Sequence, residues 1–189
     1  MLESFIVSMN HVDVTIFYMI NHGLQNTVFN VTMPVITNAG TDAFWLIICA
    51  GLFIFGGEKG RNVAILGIIA LLFGYVLSEF IKYEVARPRP YTVLSNVHLL
   101  TTMADYSFPS GHSVAAFTGC TIMGVKYGHI YLFLFLAGVI AFSRVYIGVH
   151  YPFDVIFGSL VGVFCALLVL HFEENILKAK NKIIHKLVE

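Results

Sequence analysis

Between residues 42 and 172 lie five apolar stretches, joined by short turns except for one long connection. They cover about 42–57, 61–85, 111–127, 129–148 and 152–172. A bilayer span needs about 20 predominantly apolar residues, with a range near 17 to 25. Each stretch therefore qualifies or nearly does, the first being the shortest. Of 189 residues, 58% are hydrophobic and 12% are charged, and the mean hydropathy is +0.81. That profile belongs to integral membrane proteins, not to soluble domains. The expected fold class is all-α: a polytopic membrane helical bundle of five or six transmembrane helices with an amphipathic N-terminal region. No separate soluble domain fits in the remaining length.

The connections are mostly tight. Gly56-Gly57-Glu58-Lys59-Gly60 follows the first stretch and Gly124-Val125-Lys126-Tyr127-Gly128 follows the third; both read as turns, because glycine ends a helix at little steric cost. One connection is long. Ala86 to Ser110 contains Arg87-Pro88-Arg89-Pro90, which cannot continue a helix. Residues 1–40 mix Phe5, Ile6, Val12, Val14, Phe17 and Ile20 with Asn10, His11, Asp13, Asn21 and His22. That mixture predicts amphipathic helices lying in the interface, broken near Gly23 and again by Pro34 and Gly40; a sixth span over roughly 12–36 is the alternative. The expected organisation is an interfacial N-terminal region at 1–40, a transmembrane domain at 41–175 and a basic cytoplasmic tail at 176–189. Met1 to Asn10 carries Glu3 and no Lys or Arg, which does not fit a cleavable signal peptide. Cys49, Cys120 and Cys165 stand in apolar runs without metal-ligand spacing and read as small core hydrophobes.

The formal net charge is zero, which gives no reason to expect a nucleic-acid partner; the distribution of charge is what informs. If the five stretches alternate across a membrane, Lys59, Arg61, Lys126, Lys178, Lys180, Lys182 and Lys186 share one face. Lys82, Arg87, Arg89 and Arg144 fall on the other. The positive-inside rule makes the first face cytoplasmic. The same alternation places the ends of the second and fourth stretches beside the starts of the third and fifth. Lys82, His112, Ser143, Arg144 and Asp154 therefore converge at the extracytoplasmic face.

Cations beside apolar segments cost free energy unless hydrated or paired. One lysine can snorkel to the headgroups; three converging cations, Lys82, Arg89 and Arg144, point to a bound anion. Arginine's planar fork matches phosphate oxygens, and lysine adds a point charge. Pro109-Ser110-Gly111-His112 opens the third stretch, with Ser110 as a natural N-cap and Gly111 allowing close backbone approach. Free amides at a helix N-terminus bind phosphate. His150 precedes Tyr151-Pro152-Phe153-Asp154, and Pro152 suits a first helical turn. A carboxylate close to an imidazole fixes its tautomer and stabilises the imidazolium. Two histidines with different partners suggest one nucleophile and one general acid. His11, His22, His98, His129, His171 and His185 read instead as interfacial hydrogen-bonders. A metal held by His112, His150 and Asp154 is the competing reading; the adjacent cations would repel a divalent ion and suit a phosphate.

Lys82-x6-Arg89-Pro90, Pro109-Ser110-Gly111-His112 and Ser143-Arg144-x5-His150-x3-Asp154 resemble, in order and without a gap, the three-part signature of the type-2 phosphatidic acid phosphatase superfamily. Arg87-Pro88 lacks the family's spacing from Lys82. The resemblance implies a phosphatase that needs no metal or other cofactor and passes through a phosphohistidine. It implies that His150 attacks phosphorus, that Asp154 orients and charges it, and that His112 protonates the leaving oxygen and then activates water. Lys82, Arg89 and Arg144 would hold the phosphoryl oxygens, helped by Ser110, Gly111 and Ser143.

Small members of that superfamily resemble bacterial undecaprenyl-pyrophosphate phosphatases, so the expected substrate is undecaprenyl pyrophosphate, cleaved to undecaprenyl phosphate at an outward-facing site of the cell membrane. A phosphatidic acid or phosphatidylglycerophosphate phosphatase and a lipid phosphotransferase are the alternatives, and a non-catalytic lipid-phosphate binder is a third class. The expected partners are the lipid phosphate or pyrophosphate substrate and membrane lipids. Leu94, Val97, Leu99, Leu100 and Met103 in the long connection offer the apolar wall of a lipid entrance or a seal over the site.

Overall fold

Where water is absent, a helix satisfies its own backbone hydrogen bonds, and the apolar stretches fold accordingly. The computed structural model describes residues 2–188. The side chains of 2–9, 184, 185, 187 and 188 lie outside the described residues, and with them Glu3, Phe5, Ile6 and His185 of the sequence reading. The helices are α1 (Leu2–Asn21), α2 (Thr27–Ile36), a 3-10 turn (Thr37–Gly40), α3 (Asp42–Phe55), α4 (Gly57–Val85), α5 (Pro90–Val93), α6 (Gly111–Tyr127), α7 (Ile130–Tyr146), α8 (Pro152–His171) and α9 (Glu173–Val188). No strand occurs among the described residues.

Three of the expected breaks fall elsewhere. The predicted turn at 124–128 contracts to Gly128 and His129, because α6 continues through Tyr127. The predicted turn at 56–60 contracts to Gly56, which caps α3 by donating its N–H to the Leu52 carbonyl at 2.9 Å; Gly57 to Gly60 already belong to α4. Pro34 does not interrupt the N-terminal region but lies within α2. The chain bends after the 3-10 turn instead, by 59° between Thr27–Gly40 and Asp42–Phe55.

Two helices are each long and apolar enough to cross a membrane, α8 and α4 with its short continuation to Val93, and the bent pair passes only when taken together. Two or three spans thus meet that test, against the five or six that the sequence predicts. Length accounts for α7, a short apolar helix, and for α3, whereas α6 is both short and less apolar. Helices α6 and α7 have 17 residues each and α3 has 14, or about 26 and 21 Å against a hydrocarbon thickness of about 30 Å.

Helix α6 is central, packing against α4, α7, α8 and α3. Its contact with α8 is close because Gly158 and Gly162 lie one helical turn apart. A Cβ on Gly158 would stand 2.6 Å from the Ser110 carbonyl oxygen, and one on Gly162 would stand 2.5 Å from that of Val114. Small residues at such spacing let helix backbones approach without a bulky side chain between them. Thr118 Oγ1 adds a hydrogen bond to the Gly162 carbonyl at 3.2 Å. The consequence for the site is direct: the two helix starts lie side by side, and Ser110 N–H donates to the Asp154 carbonyl at 3.0 Å.

Trp45, Cys49, Ala64, Leu71, Ala116 and Cys120 form one apolar cluster, and Cys165 joins Val114 and Val161 in another. All three cysteines are free and buried, as small core residues. At the far end, α9 is held by Lys126–Glu173 at 2.6 Å and Lys180–Asn62 at 2.7 Å. Helix α1 turns a buried stripe of Asp13, Phe17 and Asn21 inward, packing on α7 and α8. Asn21 Nδ2 donates to the carbonyls of His98 at 2.9 Å and Tyr146 at 2.8 Å, and its Oδ1 accepts from His98 N–H at 2.9 Å. The N-terminal region thereby clamps the long connection onto the bundle.

Candidate active site

A cavity of about 360 Å³ opens where α4 and α7 end and α3 and α6 begin. Of the residues predicted from sequence, Lys82, Arg89, Gly111, His112, Arg144 and His150 line it. Four separate regions of the chain therefore meet in one pocket. Asp154 stands behind His150, fully buried. Ser110 and Ser143 are not in the wall. Ser110 is the N-cap of α6, accepting from Ser113 N–H at 3.4 Å, and Ser143 Oγ donates to the Ile140 carbonyl at 2.6 Å.

His150 lies in the turn between α7 and α8, 2% exposed. Its Nε2 is 3.2 Å from Arg89 Nη1. A guanidinium only donates, so Nε2 is the acceptor and its lone pair is unprotonated. The proton of the neutral ring is then on Nδ1, which faces Asp154 Oδ2 at 3.5 Å. That separation is too long for a good hydrogen bond. The Asp154 carboxylate is occupied elsewhere: Oδ1 accepts from Arg87 at 2.6 Å, and Oδ2 accepts from Tyr151 N–H at 2.9 Å and from the Ser107 hydroxyl. The pair is thus mainly electrostatic. Burial holds the imidazole down to about 4, the positive charges of Arg144 and Arg89 push the same way, and Asp154 opposes them.

The cations are held differently from one another. Arg89 donates Nε to the Asp105 carbonyl at 2.7 Å, Nη2 to Asp105 Oδ1 at 2.5 Å and Nη1 to the Val149 carbonyl at 2.8 Å. Lys82 Nζ bridges Asp105 Oδ2 at 2.6 Å and Glu79 Oε1 at 2.7 Å. Burial alone would raise the Asp105 carboxyl, but Lys82 and Arg89 hold it down to about 2. Arg144 is 1% exposed. Its Nη1 donates to Thr37 Oγ1 at 2.7 Å, while Nε and Nη2 are buried without a partner among the described residues. Buried polar groups are normally satisfied, so two orphan donors in a cavity wall mark a place for an acceptor. The first amides of α6 open beside them at Gly111, where a helix N-terminus favours negative charge. Among the described residues no group of three or more His, Cys, Asp or Glu is arranged to hold a metal.

Several residues that shape this site have no part in the sequence reading of it. Asp105 is the shared counter-ion of two cations. Thr37 anchors Arg144, and a Cβ on neighbouring Gly40 would stand 2.9 Å from His112 Cβ. Arg87 joins two buried carboxylates, Asp13 and Asp154, each at 2.6 Å. The period-four stripe of Asp13, Phe17 and Asn21 is a signal that an N-terminal polar face turns inward.

Two solved structures share this architecture. One is a phosphatidylglycerolphosphate phosphatase from Bacillus subtilis, with a TM-score of 0.73 at 25% identity over 89% of this chain and 87% of that one. The other is Aquifex aeolicus LpxE, with a TM-score of 0.70 at 29% identity over 85% of this chain and 95% of that one. An undecaprenyl-diphosphatase from Sulfolobus acidocaldarius is 33% identical over 167 residues, covering 86% of this chain and 79% of the relative. Fold and site together define a helical membrane lipid phosphatase, a hydrolase. Residues 63–178 match the PAP2 superfamily, and the chain belongs to it.

Proposed function

We propose that this protein cleaves a lipid diphosphate, with undecaprenyl pyrophosphate giving undecaprenyl phosphate as the first choice, through a phosphohistidine on His150. One observation carries the proposal: the unprotonated Nε2 of His150 sits in a cavity that also holds the orphan donors of Arg144. Nε2 attacks the terminal phosphorus, a P–N bond forms, and the P–O bond to the lipid phosphate breaks. His112, carrying a second ring proton that the negative charge of the bound phosphate stabilises, supplies that proton to the departing oxygen. It then takes a proton from water as the water oxygen attacks phosphorus; the P–N bond breaks, and inorganic phosphate and the free imidazole result. Lys82, Arg89, Arg144 and the Gly111 amide hold the phosphoryl oxygens, since phosphoryl transfer depends mainly on positioning and charge stabilisation. Asp154 stabilises the positive charge that grows on His150. Ser110 and Ser143 support the wall from behind.

The identity to the Sulfolobus acidocaldarius undecaprenyl-diphosphatase supports the diphosphate reading. The likeness to the Bacillus subtilis phosphatidylglycerolphosphate phosphatase favours a second, in which the substrate is a lipid phosphomonoester. In both, the site faces the extracytoplasmic side of the cell membrane. The seven basic residues assigned to the other face support that orientation, and they make 176–189 a cytoplasmic tail beyond a catalytic domain at 41–175. Phosphate release from undecaprenyl pyrophosphate, farnesyl pyrophosphate, phosphatidic acid and phosphatidylglycerophosphate decides between the two. Preference for the diphosphates by tenfold or more in kcat/KM is the expected result; preference for either phosphomonoester overturns the first reading. An alcohol acceptor in the same assay separates hydrolysis from transfer.

A further inference from the structure

Arg87 occupies the only Arg-Pro that falls outside the signature, yet it touches the signature's carboxylate. Its Nη1 donates to Asp154 Oδ1 and its Nη2 to Asp13 Oδ2, both at 2.6 Å. Its guanidinium lies 3.8 Å from the centroid of the Tyr151 ring. Asn10 Oδ1 accepts a longer bond at 3.4 Å. Asp13 and Asp154 are both fully buried, and Asp13 Oδ1 also accepts from Phe153 N–H, one residue before Asp154, at 2.9 Å. One cation thus serves two carboxylates. Burial pushes the Asp13 carboxyl up, but both of its oxygens accept bonds, from Arg87 and from Phe153 N–H, as the ionised form does. With both carboxylates ionised, the cluster carries one net negative charge behind His150. If Arg87 faced Asp154 alone, that pair would be neutral, and little of its field would reach the imidazole.

We propose that Arg87 and Asp13 are positioning residues for the His150–Asp154 pair, so that helix α1 is part of the catalytic apparatus. Arg87 aims the Asp154 carboxylate, and Asp13 draws off enough of the guanidinium's charge for Asp154 to act on His150. The proposal rests on the reading of His150 as nucleophile. The geometry favours arginine, because its rigid planar fork aims a separate nitrogen at each carboxylate while the plane lies on the Tyr151 ring. An ammonium is a single point charge on a flexible stem and fixes neither carboxylate's orientation. The other charged or titratable groups around the cluster and His150 are Tyr18 from α1, Arg89 and its counter-ion Asp105 from the long connection, Arg144 from α7, His112 from α6 and the Tyr151 ring itself.

The test uses the full chain in detergent micelles, as wild type, Asp13→Asn, Arg87→Gln and Arg87→Lys. Two readouts are taken: kcat and kcat/KM against pH, and the titration of the His150 ring by NMR of histidine-labelled protein, assigned with His150→Gln. Removing the Asp13 charge makes the surroundings of His150 more positive, so its titration and the acid limb move to lower pH. Removing the Arg87 charge moves both to higher pH. Each shift is expected to be roughly half a pH unit or more, the size of effect that nearby charges produce. Arg87→Lys is expected to keep KM within about threefold while kcat falls about tenfold or more, the pattern of a lost transition-state interaction. Shifts in the same direction, no shift in either variant, or full kcat in Arg87→Lys overturns the proposal. If Arg87→Gln does not fold, Asp13→Asn and Arg87→Lys still carry the sign and the rescue. Turnover by His150→Ala marks failure of the nucleophile reading, whereas the NMR titration tests the coupling by itself.

Discussion

Arg89 Nη1 stands 3.2 Å from His150 Nε2, and the same guanidinium is pinned by the Val149 carbonyl and both kinds of Asp105 oxygen. A cation proposed to hold phosphate therefore also sets which nitrogen of the histidine is free. Its two tasks are separable. Arg89→Lys keeps a positive charge but loses the fork, so kcat is expected to fall by about 10²-fold, in the range for a lost charge-stabilising donor. Histidine 15N chemical shifts of the variant should show the His150 tautomer mixed rather than confined to Nδ1–H. An unchanged tautomer with reduced kcat would leave Arg89 with phosphate binding alone.

The pH dependence follows from burial. His150 is held to about 4 against an ordinary value of 6.5, so its neutral form, the one the proposed attack requires, persists well into the acid range. The acid limb of kcat/KM is expected near pH 4 to 5, below that of a solvated histidine. Stability runs in the same sense. Between pH 6.5 and 4 the unfolded chain binds a proton at His150 that the native chain does not, so stability declines as pH falls. Asp105, held to about 2 against an ordinary 3.8, repeats this between pH 4 and 2. Thermal unfolding in detergent across pH 3–7 checks both; a Tm that rises on acidification over that range would contradict them.

Gly40 tests the 3-10 turn as a wall of the site. An alanine Cβ there would meet Ile140 Cγ2 at 2.8 Å and His112 Cβ at 2.9 Å, and the second belongs to a helix that cannot yield freely. Gly40→Ala is expected to lower kcat by about 10- to 100-fold, because a displacement near 1 Å at a catalytic group has that effect. Gly138→Ala, with nothing within 4 Å of the new carbon, serves as the control and should keep wild-type turnover.

Three cations and no metal-holding cluster of acids and histidines among the described residues lead to a further expectation. Phosphate release should continue at an unchanged rate in excess EDTA. Activity lost to the chelator and restored by magnesium would move the chemistry to a metal.

The candidate site was legible because charge is scarce in the sequence. In so apolar a chain, Lys82, Arg89, Arg144, His112, His150 and Asp154 stand out individually, and simple alternation of helices brings them to one end. Their supports were not legible. Asp13 reaches Arg87 across 74 positions and Phe153 across 140, and a polar residue on an apolar helix reads equally well as facing headgroups or a buried partner. Thr37 and Gly40 escaped for a similar reason: a short 3-10 turn carries no periodic signal, and their value lies in contacts to Arg144 and His112. Ser143 and Ser110 show the converse. Both hydroxyls bond within their own helical turn, and motif membership did not reveal that. Span counting was the least secure step, since hydropathy finds apolar residues but does not locate helix ends to within the turn or two that separates 14 or 17 residues from 20.

The central claim is a covalent one, and the decisive measurement is to trap it. Rapid mixing with substrate labelled in the terminal phosphate, followed by a quench in alkali, should give labelled protein whose bond is stable to base and labile to acid, the behaviour of a phosphoramidate. Peptide mapping should place the label on His150, at the nitrogen corresponding to Nε2. His150→Ala should carry no label and release no phosphate, while His112→Ala should retain label longer because hydrolysis of the intermediate is slowed. Turnover by His150→Ala at more than about a hundredth of the wild-type rate, well above the loss expected on removing a nucleophile, would contradict the account.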